Sequence, residues 1–121
     1  MKLKNYVNEE DLLFEEITIG KIEGGYVVSV YSEPLKNPTL HIKNKTGEVE
    51  NVYQIKNLKL LEQKTQRTFS SKELKLISNW LRQENRIAKG YSNWQAILMQ
   101  WNFINPEAPV SFDLEQPEFN E

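Results

Sequence analysis

His41 is the one histidine of the chain, and there is no cysteine to share a site with it. It lies in an alternating run, Thr39-Leu40-His41-Ile42-Lys43. Side chains of a strand point alternately to opposite faces, so Leu40 and Ile42 turn inward while Thr39, His41 and Lys43 share the other face. An imidazole there can act as a general base or a ligand, because it titrates near neutrality. With no second histidine and no cysteine, no tetrahedral zinc set can be completed. Serine, histidine and aspartate are all present, but no Gly-X-Ser-X-Gly turn exposes a serine nucleophile. Glycine occurs only at positions 20, 24, 25, 47 and 90, so no phosphate-cradling loop can be written. Adjacent carboxylates such as Glu15 and Glu16 point to different faces in any regular element and read as a solvated edge. No catalytic residue, metal site or cofactor is assigned, and the chain is read as a non-enzyme.

The other groups able to do chemistry are cationic. Lys56, Lys59, Lys64, Arg67, Lys72 and Lys75 cluster across a sheet-to-helix junction, with Tyr53 and Phe69 nearby in sequence. Arg82, Arg86 and Lys89 continue along the polar face of the helix that follows. A basic face beside an aromatic ring can track a phosphate backbone and stack a base. Glu62, Glu73 and Glu84 are interleaved with these cations, and that pattern also fits a solvated mixed-charge face. The formal net charge of −2 conceals the division. Residues 1–42 hold four basic and seven acidic side chains, residues 43–89 eleven and five, and residues 90–121 none and five. A basic middle is followed by an acidic end, which can fold over it and compete with an anionic partner.

The elements that position these groups begin with an acidic stretch, 8–16, around Leu12-Leu13-Phe14, read as a short helix or an entry segment. Ile17-Thr18-Ile19 and Tyr26 to Tyr31 are β-branched and aromatic, and Gly24-Gly25 between them predicts a hairpin. Tyr26, Val28 and Val30 fall on one face of the second strand; Val27, Ser29 and Tyr31 fall on the other. Pro34 and Pro38 bracket a loop, and the strand carrying His41 follows. Asn44-Lys45-Thr46-Gly47 reads as a turn into an antiparallel partner over 48–55. Lys56 to Gln66 fits strand or helix equally.

Two helices are better marked. Ser70-Ser71-Lys72-Glu73 is a capping box, in which the serine hydroxyl and the glutamate carboxylate satisfy free amides of the first turn. On a helical wheel Leu74, Leu76, Ile77, Trp80, Leu81 and Ile87 form an apolar arc, opposite Lys75, Ser78, Asn79, Arg82, Gln83, Asn85 and Arg86. Lys89-Gly90 reads as the end of that helix. Ser92-Asn93-Trp94-Gln95 restarts a second one, with Trp94, Ile97, Leu98, Trp101 and Ile104 as a stripe and Ala96, Met99 and Phe103 across from it. Asn105-Pro106 ends it. The tryptophans, Trp80, Trp94 and Trp101, read as core anchors.

At 121 residues, with 39% hydrophobic and 26% charged side chains, the chain is expected to form one α+β domain over residues 1–105, followed by an acidic Pro-containing tail over 106–121. The fold expected is an antiparallel sheet of four or five strands packed by two C-terminal helices. Phe112, Leu114 and Phe119, spaced by acids, can pack on the body or on a partner, so the tail is ordered only by docking. No apolar run approaches the ~18 residues that span a bilayer, and the expected setting is the cytoplasm, without a membrane partner.

The layout Pro38-Thr39-Leu40-His41-Ile42, a sheet partner, Phe69-Ser70-Ser71-Lys72-Glu73-Leu74 and a Trp-rich last helix resembles a family of small uncharacterised bacterial proteins. Its members carry a Pro-Pro-His-X-His strand ahead of a Ser-X-Lys-Glu-Leu helix and are often encoded on mobile elements or near toxin–antitoxin genes. The resemblance covers about residues 26–104. Thr39 stands where the family's first histidine would be, so a two-histidine site is not carried over. The functional expectation is a non-catalytic binding or regulatory module from a bacterial mobile element, with a protein as its partner. Its contact surface would combine Arg82, Arg86 and Lys89 with exposed aromatics. The alternative is an RNA- or DNA-binding regulator using the basic 56–89 segment.

Overall fold

The computed structural model describes residues 16–22, 25–33 and 37–120. Of the 8–16 stretch only Glu16 is described, as the first residue of a strand; the rest of that expectation, and those for Gly24 and Pro34, lie outside the described residues. Among the described residues five strands form one antiparallel meander in chain order: β1 (Glu16–Ile22), β2 (Tyr26–Tyr31), β3 (Thr39–Asn44), β4 (Glu50–Gln54) and β5 (Leu60–Gln63). Helices α1 (Ser71–Arg82) and α2 (Asn93–Ile104) follow. This is the α+β class that the sequence pattern predicts, and the undecided 56–66 stretch supplies the fifth strand.

The two turns expected to depend on glycine do so. Gly25 has φ +93 and Gly47 φ +79, a region that L side chains rarely adopt. Val28 pairs with Ile42, and Leu40 with Tyr53. The inward rows of β2, β3 and β4 therefore meet on one face. Helix α2 packs across β1 and β2 with α1 beside it. The core joins Val28, Val30, Leu40, Ile42 and Tyr53 of the sheet to Ile77 and Leu81 of α1 and Trp94, Ile97, Leu98 and Trp101 of α2.

Both capping boxes are made in full: Ser70 with Glu73, and Ser92 with Gln95. Glu73 does more than cap. It accepts from the Tyr26 hydroxyl at 2.7 Å and from Arg67 Nη2 at 3.0 Å, tying the start of α1 to β2. Burial pushes the Glu73 carboxyl up, but the Ser70 amide, the Tyr26 hydroxyl and the Arg67 charge outweigh it and hold the group below its ordinary 4.5.

The first helix is shorter than its apolar spacing predicts. It ends at Arg82, with Gln83 extended as its C-cap, so Lys89-Gly90 is not a helix terminus. The buried amides of Asn85 and Asn93 are the reason. Asn93 Nδ2 donates to the Trp80 carbonyl at 2.7 Å and so takes up one of the helix's last acceptors. Asn85 Oδ1 accepts from the amides of Ile87 and Ala88, and Asn85 Nδ2 donates to Asn93 Oδ1. An asparagine that satisfies local backbone this way competes successfully with helix continuation.

Residues 106–120 carry the composition of a tail but lie on the body. Trp101 Nε1 donates to the Ala108 carbonyl at 2.7 Å, and Trp94 Nε1 to the Leu114 carbonyl at 2.9 Å. Asn102 and Val110 exchange two hydrogen bonds. Ala108, Val110, Leu114 and Phe119 pack against the same core as the sheet and helices.

Candidate interaction surface

Of the residues read from the sequence as a binding site, Tyr53 is covered in the structure and offers no free ring on which a base could stack. It is fully buried and meets Phe119 edge-on, with ring centroids 4.9 Å apart. The period-2 pattern of β4 turns Tyr53 toward Leu40, its cross-strand neighbour, and leaves no face for a base.

The cations are exposed but do not form one free stripe. Lys64 lies 3.8 Å from Glu50, Arg67 3.0 Å from Glu73 and Arg82 3.2 Å from Glu118. Lys72 and Lys75 stand on the outer side of α1, while Lys56 and Lys59 belong to the turn between β4 and β5. Arg86 and Lys89 are not on the helix face where the periodicity puts them, because α1 has ended before either. They sit on a loop, 83–92, between the two helices.

That loop is the least expected part of the surface. Ile87, assigned to the buried arc by helical spacing, is 91% exposed. The loop beneath it is fixed from several sides. Asn85 N donates to the Tyr91 carbonyl, Gly90 N to the Glu84 carboxylate and Asn93 N to the Gln83 carbonyl. Glu84 and Ser92 form an isolated antiparallel bridge at its base. A hydrogen-bonded loop thus presents an aliphatic side chain between two cations, Arg86 and Lys89. Beside it Tyr91 and Phe112, both exposed, meet edge-on at 5.7 Å. The sequence did hold a signal for this surface: Asn85, two residues ahead of Ile87, is a turn residue inside the supposed helix. Phe103 of α2 is also exposed, at 77%, on the side away from the Trp94–Trp101 stripe.

The opposite face of the sheet holds His41. Its Nε2 donates to Glu33 Oε1 at 3.1 Å, and Thr39 Oγ1 donates to the same oxygen at 3.3 Å. Tyr31 stands edge-on to the imidazole at 4.3 Å. Burial of the ring lowers the His41 pKa below its ordinary 6.5, against the upward pull of Glu33. An imidazole that donates from Nε2 and stays neutral leaves Nδ1 as a bare acceptor, and Nδ1 is buried without a partner. Asn105 links this corner to the helical layer: its Oδ1 accepts from the Glu33 amide and its Nδ2 donates to the Tyr31 carbonyl. Among the described residues no group of three or more His, Cys, Asp or Glu side chains is placed to hold a metal ion. Nor, among them, is any helix long and apolar enough to cross a membrane.

No protein-family model, no characterised protein and no solved structure matches this chain, so the surface is interpreted from its own geometry.

Proposed function

We propose that the chain is a non-catalytic binding module whose partner is a protein, engaged through the 83–92 loop. The observation that carries this reading is Ile87, almost fully exposed on a loop braced by Asn85, Glu84 and Asn93. A braced loop loses little conformational freedom on docking, which lowers the cost of association. Arg86, Lys89 and the Tyr91–Phe112 pair supply a charged and aromatic surround, of the residue types enriched at protein interfaces. The bacterial, mobile-element origin belongs to the proposal through the resemblance of the β3-to-α2 layout, and the cytoplasmic setting through the composition of the chain. The nucleic-acid alternative loses support from the burial of Tyr53 and from the carboxylates that face Lys64, Arg67 and Arg82.

Two measurements test the reading together. Single-stranded RNA and duplex DNA are titrated at low and moderate salt, and the tagged chain is recovered from its own cells with and without Ile87→Glu. The expected result is no tight salt-sensitive nucleic-acid binding, and a co-purifying protein that is lost in the Ile87→Glu variant. Tight binding that falls steeply with salt and vanishes when Lys64, Arg67 and Lys72 become glutamate would replace this reading with the nucleic-acid one.

A further inference from the structure

Gln116 to Asn120 lies on the body in the manner of a bound peptide. Asn120 adds to the outer side of the β4–β5 turn by a parallel bridge to Lys59: its amide donates to the Leu58 carbonyl, and its carbonyl accepts from the Leu60 amide, both at 3.0 Å. Phe119 drops its ring onto Tyr53 beside Leu74 of α1. Glu118 reaches Arg82 at 3.2 Å. Gln116 Nε2 donates to the carbonyl and hydroxyl oxygens of Ser78, which explains why Ser78, on the polar side of the helical wheel, is buried. Leu74, Lys75, Ser78, Asn79 and Arg82 of α1 form one wall of an open groove, and Glu118 and Phe119 lie along its other side.

The receiving side has a distinctive backbone. Leu58, whose carbonyl takes the Asn120 amide, holds φ +53, a left-handed conformation rare for a residue with a Cβ. It is fixed there by burial of its side chain and by its amide hydrogen bond to the Gln54 carbonyl at 2.7 Å. Backbone held in such a conformation by its surroundings is a feature that gathers at recognition sites. Main-chain pairing at a sheet edge, a pocket for one side chain and an ion pair beside it are the components of peptide recognition by strand addition.

We propose that this groove is a recognition slot for an extended segment of a partner protein in which an acidic residue precedes an aromatic one, and that Gln116–Asn120 occupies it in cis. The Tyr53–Leu74 floor selects the aromatic ring, Arg82 selects the acid, and the Leu58–Leu60 backbone reads any residue after the ring. The cis occupant is lightly held. Glu118 is 84% exposed along its side chain, and Asn120 is itself exposed. Exchange for a partner segment therefore leaves the Trp94- and Trp101-bound residues 108–114 in place. The slot is separate from the 83–92 loop and does not depend on Ile87.

The test uses a fluorescent peptide with the sequence of residues 113–120, followed by anisotropy against the full chain. A tethered occupant competes at an effective concentration on the order of millimolar, so the wild-type chain should bind the peptide at least about tenfold more weakly than the full-length Phe119→Ala variant. The same peptide with its phenylalanine changed to alanine should not bind either. Glu118→Lys, which spares the core, provides a second chain with a weakened occupant and should also bind more tightly than wild type. The proposal is overturned if neither variant binds the peptide while both keep the wild-type circular dichroism and a cooperative melt. It is equally overturned if the peptide binds wild type and variants alike, or binds without its phenylalanine. A wild-type dimer in sedimentation that Phe119→Ala abolishes would assign the slot to a second copy and overturn the partner-segment assignment. Ile87→Glu should leave peptide binding unchanged, which separates this slot from the loop.

Discussion

The two halves of the 106–120 segment are held in different ways. In the first half two indole N–H groups and the Asn102 amide bond directly to its backbone, and Asn105 at its root is buried and bonds to both Glu33 and Tyr31. In the second half one ring, one exposed ion pair, the Gln116 amide on Ser78 and one bridge residue make the attachment. The first half therefore behaves as part of the domain and the second as a ligand attached to it. Net charge and proline content are much the same throughout. What divides the segment is whether its backbone groups meet buried donors, for which no water can substitute.

Substitutions can break this difference in graded steps. Trp101→Ala should have the largest effect: it opens a cavity at a fully buried site and orphans the Ala108 carbonyl, costing about 3–5 kcal/mol in denaturant unfolding. Against a total stability of roughly 5–15 kcal/mol, that leaves the fold marginal. Asn105→Ala should cost about 1–3 kcal/mol, since the Glu33 amide and the Tyr31 carbonyl both lose their partner. Phe119→Ala should cost about 1 kcal/mol, less than a fully buried ring, because its site is only partly enclosed. Glu118→Lys should change stability by less than ~1 kcal/mol, as removal of an exposed ion pair does. If Phe119→Ala proves as damaging as Trp101→Ala, the second half is core as well and the division fails.

The smallest expected effects concern pH. His41 has a folded pKa below 6.5, so between that folded value and 6.5 the unfolded chain binds the extra proton. Stability is then fully present above about 6.5 and declines as pH falls toward the folded value. His41→Gln should flatten this limb of a stability–pH curve. Glu73 acts in a lower window: its folded pKa is held below 4.5, so its contribution is present above that value and lost as pH falls through the folded one. Glu73→Gln should remove the acid limb, and an unchanged curve would show that the Tyr26–Arg67–Ser70 network does not bias the carboxylate.

Local signals in the sequence were the ones that survived into three dimensions. Gly25 and Gly47 set turns, Ser70 and Ser92 opened helices, and the alternation in β2 and β3 placed Val28, Val30, Leu40, Ile42 and His41 on the faces they occupy. The readings that failed needed a partner distant in sequence or a competitor for the backbone. Ile87 fits a helical wheel, but Asn85 and Asn93, eight residues apart, satisfy each other and the loop more fully than a longer helix would. The binding role given to Tyr53 used its neighbours in sequence, whereas one of the rings packed on it, Phe119, lies 66 positions later. The groove occupied by Gln116–Asn120 likewise joins three stretches that no local pattern connects.

The meander order of the sheet has a kinetic and spectroscopic consequence. Every strand pairs with its neighbour in the chain, so each β-ladder closes over a short loop, and low sequence separation favours fast formation. The layer that covers the sheet's apolar face comes from residues that follow the strands in the chain, and all three tryptophans lie in that layer: Trp80 in α1, Trp94 and Trp101 in α2. Indole fluorescence is therefore blind to the assembly of the sheet and reports the moment the helices close over it.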